Sequence, residues 1–77
     1  MREFHILVKS FRQMRAFVEL AAVQPFEVMV SSGNKQVNGK GFIGLMSLDC
    51  HSPLRVSVKC SEEEFGKFRK DAAQFLA

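Results

Sequence analysis

Tryptophan and tyrosine are absent from this chain, and its aromatic content is carried by eight phenylalanines. A ring without a polar tip asks only for packing, so the absence points to a Phe-filled core. Cysteine is scarce: Cys50 and Cys60 are the only two, too few for a disulfide framework. The start Met1-Arg2-Glu3 is no secretory signal, so free, buried or half-buried thiols in a reducing, cytoplasmic setting are expected over a bridge. No apolar run approaches the roughly 18 residues that span a bilayer. Neither a low-complexity segment nor an internal repeat is present, which excludes a solenoid or a linker-like chain.

What is present fits one domain over residues 1–77, with no room for a second core. Net charge is +3 and unevenly placed. Residues 1–40 hold six basic side chains (Arg2, Lys9, Arg12, Arg15, Lys35, Lys40) against three acids, while residues 41–77 hold five of each. The excess suits a patch for an acidic partner, and equally a solvated face. No exposed aromatics interleave the basic residues and no nucleic-acid motif is found, so nucleic acid is not an expected partner.

Hydrophobic periodicity orders the elements. Phe4, Ile6 and Val8 alternate with His5 and Leu7, which predicts a first strand. Ser10 can cap a following helix, whose apolar face is Phe11, Met14, Phe17, Val18 and Ala21. Gln24-Pro25 ends it. Phe26, Val28 and Val30 alternate as a second strand, Ser32-Gly33-Asn34 turns, and residues 35–38 return as a third, giving a hairpin. Asn38-Gly39-Lys40-Gly41 breaks the pattern before a short apolar helix over 42–48, which must lie on something to be stable. Leu54, Val56, Val58 and Cys60 mark a fourth strand. Ser61-Glu62-Glu63-Glu64 is a capping box opening a last helix with a stripe of Phe65, Phe68, Ala72, Phe75 and Leu76. The order β-α-β-β-α-β-α predicts an α+β domain, one antiparallel sheet covered on one face by helices.

The segment Lys40-Gly41-Phe42-Ile43-Gly44-Leu45-Met46-Ser47-Leu48 resembles the second helix of HPr, the histidine-containing phosphocarrier family of the bacterial sugar phosphotransferase system. The likeness spans nearly the whole chain and is most specific from Asn34 to Leu48; Phe17-Val18 and Phe26-Glu27-Val28 also fit. It implies an open-faced β-sandwich of four antiparallel strands covered on one face by three helices. It is poorest between Val8 and Met14, where the family carries a Gly-x-His-x-Arg-Pro type of motif and this chain has Lys9-Ser10-Phe11-Arg12-Gln13, in a loop a few residues shorter. Laid on that motif, Ser10 stands at the relay histidine, Arg12 at the supporting arginine and Gln13 at the proline. Gly41 stands at the family's regulatory serine. A serine phosphoester is a far poorer phosphoryl donor than a phosphorylated imidazole, so the resemblance implies the scaffold of a carrier without its usual relay group.

Two histidines are left as acceptors. His5 belongs on the strand face opposite Phe4 and Ile6, a surface position. His51, in the loop after the second helix, can come near Ser10 and Arg12 in such a fold, or simply be a solvated loop residue. Cys50, His51 and Cys60 offer three metal ligands at most and no paired spacing, so neither a metal nor any other cofactor is expected. Ser10 with His51 lacks an orienting acid, which argues against a hydrolase. By resemblance, partners dock on the exposed apolar side of the second helix and the polar face of the first: here Phe42, Ile43 and Met46, with Arg12 and Arg15. The expected function is therefore a non-enzymatic binding or regulatory module, docking a phosphotransferase-type or regulatory protein. Its alternatives are a phosphocarrier with a displaced acceptor at His51 and a structural or oligomerising domain without a phosphotransfer link.

Overall fold

Alternation and helical periodicity resolve into seven main elements in a computed structural model that describes all 77 residues. They are β1 (Arg2–Ile6), α1 (Phe11–Ala22), β2 (Val28–Ser32), β3 (Lys35–Asn38), α2 (Phe42–Met46), β4 (Leu54–Val58) and α3 (Glu62–Asp71), followed by a 3₁₀ turn, Ala73–Phe75. The strands form one sheet in the order β1-β4-β2-β3, every neighbour antiparallel. Three helices cover one face, the architecture expected of the sequence.

The core lies between that face and the helices. Phe4 and Ile6, Val28 and Val30, and Leu54, Val56 and Val58 point inward from the strands, against Met14, Phe17 and Ala21 of α1, Leu45 of α2 and Phe68 of α3. Phe68 organises it. Its ring meets Phe4 and Phe26, both at 5.6 Å and 70°, and Phe17 at 6.3 Å. Edge-to-face contacts at such distances add to the gain from area burial alone.

Local signals act where they are expected. Ser61 accepts from the Glu64 N–H at 3.1 Å, and Glu64 Oε1 accepts in return from the Ser61 N–H at 3.0 Å, so the capping box closes. The β2–β3 turn is the two-residue Gly33-Asn34, with Gly33 at φ +59°, a conformation that suits glycine at the first central position of a hairpin turn.

β2 opens at Val28 instead of Phe26 and β4 closes at Val58 instead of Cys60, and three boundaries differ more consequentially from the sequence expectation. First, β1 stops at Ile6 instead of running to Val8; Val8 is still buried, but beyond the strand. Second, α2 stops at Met46, and Leu48 reaches the core from the loop that follows. Third, the last helix does not carry its stripe to Leu76. After Asp71 the chain tightens into the 3₁₀ turn, and Leu76 bridges Ile6 in antiparallel fashion. The Leu7 N–H donates to Phe75 O at 2.7 Å and the Ala77 N–H to His5 O at 3.1 Å. One helical turn is exchanged for hydrogen bonds along the outer edge of β1, which would otherwise be unpaired there. Phe75 is thereby held against Phe17 at 5.7 Å.

Two glycines make opposite predictions. At Gly66, an exposed position inside α3, an added Cβ meets nothing within 4 Å. Gly66→Ala should raise stability by about 1 kcal/mol, because glycine gives up more backbone freedom in a helix than alanine. At buried Gly39 an added Cβ would lie 2.8 Å from Val28 Cγ1, 3.0 Å from Val30 Cγ2 and 3.2 Å from Val28 O. Gly39→Ala should cost about 1–3 kcal/mol, as overpacking does. Paired urea titrations read both signs.

Candidate functional site

The segment between β1 and α1 is built around Ser10. Its backbone is extended (φ −159°, ψ 164°), and its Oγ accepts from the Gln13 N–H at 3.2 Å, the N-cap interaction expected of it. Gln13 reaches back: its Oε1 accepts from the Lys9 N–H at 2.8 Å. Two N–H groups at the start of the helix are satisfied by this pair. A proline at position 13 would have no N–H for Ser10 to cap. Ser10 and Gln13 thus form one structural unit.

The first turn of α1 contains no acidic residue. Arg12 and Arg15 are exposed, and neither takes part in an ion pair. Beside them α2 packs against α1. Phe42 is half-buried and its ring lies 6.5 Å from Phe11. Ile43 is 84% exposed and Met46 49% exposed. At i and i+3 the two share one helix face, turned away from the core. Gly41 is the N-cap of α2 and offers no side-chain hydrogen bond.

Phe11 corrects the sequence expectation, which counted it among the buried stripe of α1: it is 68% exposed. Residue 11 is the first of the helix, where the chain has just left the sheet, so its ring meets α2 instead of the core. Its ring lies beside Phe42 of α2, and periodicity alone could not separate it from Met14 and Phe17. Its place at the very start of the helix was the one available signal.

The loop after α2 brings His51 to the same region. An open concavity of about 400 Å³ is lined by Ser10, Phe11 and Met14 on one side and by Cys50 and His51 on the other. Ser10 and His51 therefore face a common space, with Arg12 outside its lining. The His51 ring is fully exposed, and its Nδ1 lies 3.2 Å from Asp49 Oδ1, which also accepts from the His51 N–H at 3.0 Å. The backbone bond first, and then the ring, hold the Asp49 carboxyl below its ordinary pKa. Burial, with the charge of Asp49 as the smaller cause, pushes the Cys50 thiol up. That thiol is half-buried and directed to Leu45 O and Leu48 O. Cys60 is at the other end of β4, and no three His, Cys, Asp or Glu side chains come together as a metal-binding group. His5 is exposed on the open face of the sheet, opposite Arg55.

Solved structures share this fold. HPr-C-His from Thermoanaerobacter tengcongensis superposes with a TM-score of 0.75 and 28% identity over 96% of this chain and 92% of that one. The phosphocarrier protein HPr from Bacillus anthracis str. Ames gives 0.73 and 19% over 99% and 96%. This chain has the HPr fold. The histidine-containing phosphocarrier protein of Mycoplasma adds a TM-score of 0.68 at 11% identity, covering 99% of this chain and all of that one; at the two lower identities the likeness is one of fold. No family model matches the sequence, and no curated protein matches it. The HPr likeness thus rests on three-dimensional arrangement. No helix is long and apolar enough to cross a membrane.

Proposed function

We propose that this chain is a cytoplasmic, non-enzymatic docking module of HPr type that no longer relays phosphate. The observation that carries the reading is the state of Ser10. Where the resemblance puts the family's relay histidine, this chain has a hydroxyl engaged as a helix cap with Gln13, while Phe11, Ile43 and Met46 on α1 and α2 are exposed and Arg12 and Arg15 of α1 have no ion-pair partner. A hydroxyl phosphoester does not return its phosphoryl group readily. An exposed apolar patch with basic neighbours does what a docking surface needs: burial of apolar area, and electrostatic attraction of an acidic partner. Gly41 has no hydroxyl either, so modification by a serine kinase at the family's regulatory position is not available to this chain.

One observation favours a second reading, a displaced acceptor. With the Nδ1 proton of His51 donated to Asp49, Nε2 carries the lone pair and is open to solvent beside Ser10. Such a nitrogen can attack a phosphoryl phosphorus as the donor's bond to phosphorus breaks. The nearby Asp49 carboxylate, which repels an arriving phosphoryl group, weighs against it.

Incubation with phosphoenolpyruvate and the first enzyme of the phosphotransferase system separates the readings. The expected result is no acid-labile phosphate by mass spectrometry, together with saturable binding of that enzyme. Label on His51 would overturn the docking-only reading in favour of the carrier. Absence of both label and binding, with charge reversal at Arg12 and Arg15 leaving every captured partner bound, would leave a structural domain.

A further inference from the structure

We propose that the concavity at the start of α1 is a binding site for a small amphiphilic monoanion, an alkyl or aryl body bearing one carboxylate. The inference does not depend on whether a protein docks on α2.

The walls set the body of the ligand. Leu7, Val8, Phe11 and Met14 turn apolar surface into a space of about 400 Å³, within the range of about 300–1,000 Å³ usual for small-molecule sites. Val8 and Met14 are themselves buried, so the floor is fixed by the core, whereas Phe11 is exposed and forms an outer wall beside Phe42. Inorganic phosphate would fill this space poorly and would face apolar walls in place of its hydration shell.

The rim sets the head group. Lys9, Ser10 and His51 edge the concavity, and no carboxylate lines it. The Lys9 side chain has no ion-pair partner. The acid next in sequence, Asp49, is held by His51 through both its backbone N–H and its ring. Within α1, Arg12 is the nearest further charge, and the first turn carries no acid to oppose an incoming anion. A carboxylate at the rim is thus within the reach of the long, exposed and unpaired Lys9 side chain while its own chain enters the apolar space. Cys50, which also lines the wall, has its thiol turned to Leu45 O and Leu48 O and contributes surface rather than chemistry.

Octanoate and octan-1-ol share a body and differ in the head, which makes them the probes. Titrated into the full ¹⁵N-labelled chain, octanoate should bind saturably at one site, with the largest amide shifts at residues 7–11, 14, 50 and 51. Octan-1-ol should bind about tenfold more weakly, the loss of one charge-assisted contact. Lys9→Gln should erase that preference by weakening octanoate alone, and Phe11→Ala should weaken both ligands. Lys9 and Phe11 are exposed, so both variants should fold, as the unperturbed part of the spectrum verifies. Failure to saturate, equal affinity of the two compounds for the unaltered chain, or shifts centred on Ile43 and Met46 would each overturn the proposal.

Discussion

Phe68→Ala should remove a large share of the stability of this domain. A chain of this length has a total of about 4–12 kcal/mol at the usual figure per residue, and truncating a fully buried phenylalanine costs about 3–5 kcal/mol. The upper part of that range is expected here because the ring is shared. Phe68 is completely buried and contacts Phe4 from β1, Phe17 from α1 and Phe26 from the loop before β2, so one deletion opens a cavity under three separate segments. Neither Phe4 nor Phe17 can collapse into the space without leaving its other partner, Phe65 for the first and Phe75 for the second. Thermal melts followed by circular dichroism should show a fall in Tm of at least about 12 °C. Phe65→Ala is the internal contrast, because Phe65 is half-buried and touches only Phe4 among the rings. Equal losses for the two variants would mean that Phe68 holds no special place in the core.

Ile43→Asp should weaken docking by roughly thirtyfold or more while leaving the fold intact. The side chain is 84% exposed and lies in the first turn of α2, where a carboxylate is favourable to the helix. A stability change within about 0.5 kcal/mol is therefore expected. Affinity should behave differently. A charge placed in the middle of the apolar patch must be desolvated against the partner, and central apolar residues that matter to an interface cost about 2 kcal/mol or more on removal, roughly thirtyfold in affinity. Arg15→Glu should act by another route, slowing association and reversing its salt dependence, since the residue is exposed and free of any ion pair. Calorimetry with the first phosphotransferase enzyme reads the first effect, and stopped-flow association at two salt concentrations reads the second. A fully retained affinity in Ile43→Asp would remove the α1–α2 face from consideration as the docking surface.

The two experiments probe different levels of organisation, and the sequence speaks to them unequally. The core was legible because its signals are local and redundant: alternation marks Leu54, Val56 and Val58, and helical spacing marks Met14, Phe17 and Ala21. Phe11 obeyed the same spacing and is exposed. Periodicity reports which side of a helix a residue occupies, without reporting where along its length the helix meets the sheet. The C-terminal stripe went astray for a related reason. Phe75 is buried as expected, yet the backbone carrying it follows the unpaired edge of β1, and the pull of an open edge 70 residues away in sequence leaves no local trace.

The turn at Ser10 shows the same division. Its residue types announce a helix cap, and the resemblance to the HPr motif implies an imidazole where Ser10 stands. That Ser10 and Gln13 lock each other in place is visible only with both side chains positioned.

Residue order therefore determined the element sequence, the inward-facing strand residues and the caps at Ser10 and Ser61. All of these depend on neighbours within a few positions. Tertiary structure decided the strand order, the exposure of Phe11, the tail along β1 and the meeting of Ser10 with His51 around one concavity. Those features depend on which distant surfaces find each other when burial and edge pairing are satisfied together, and no window of adjacent residues contains that information.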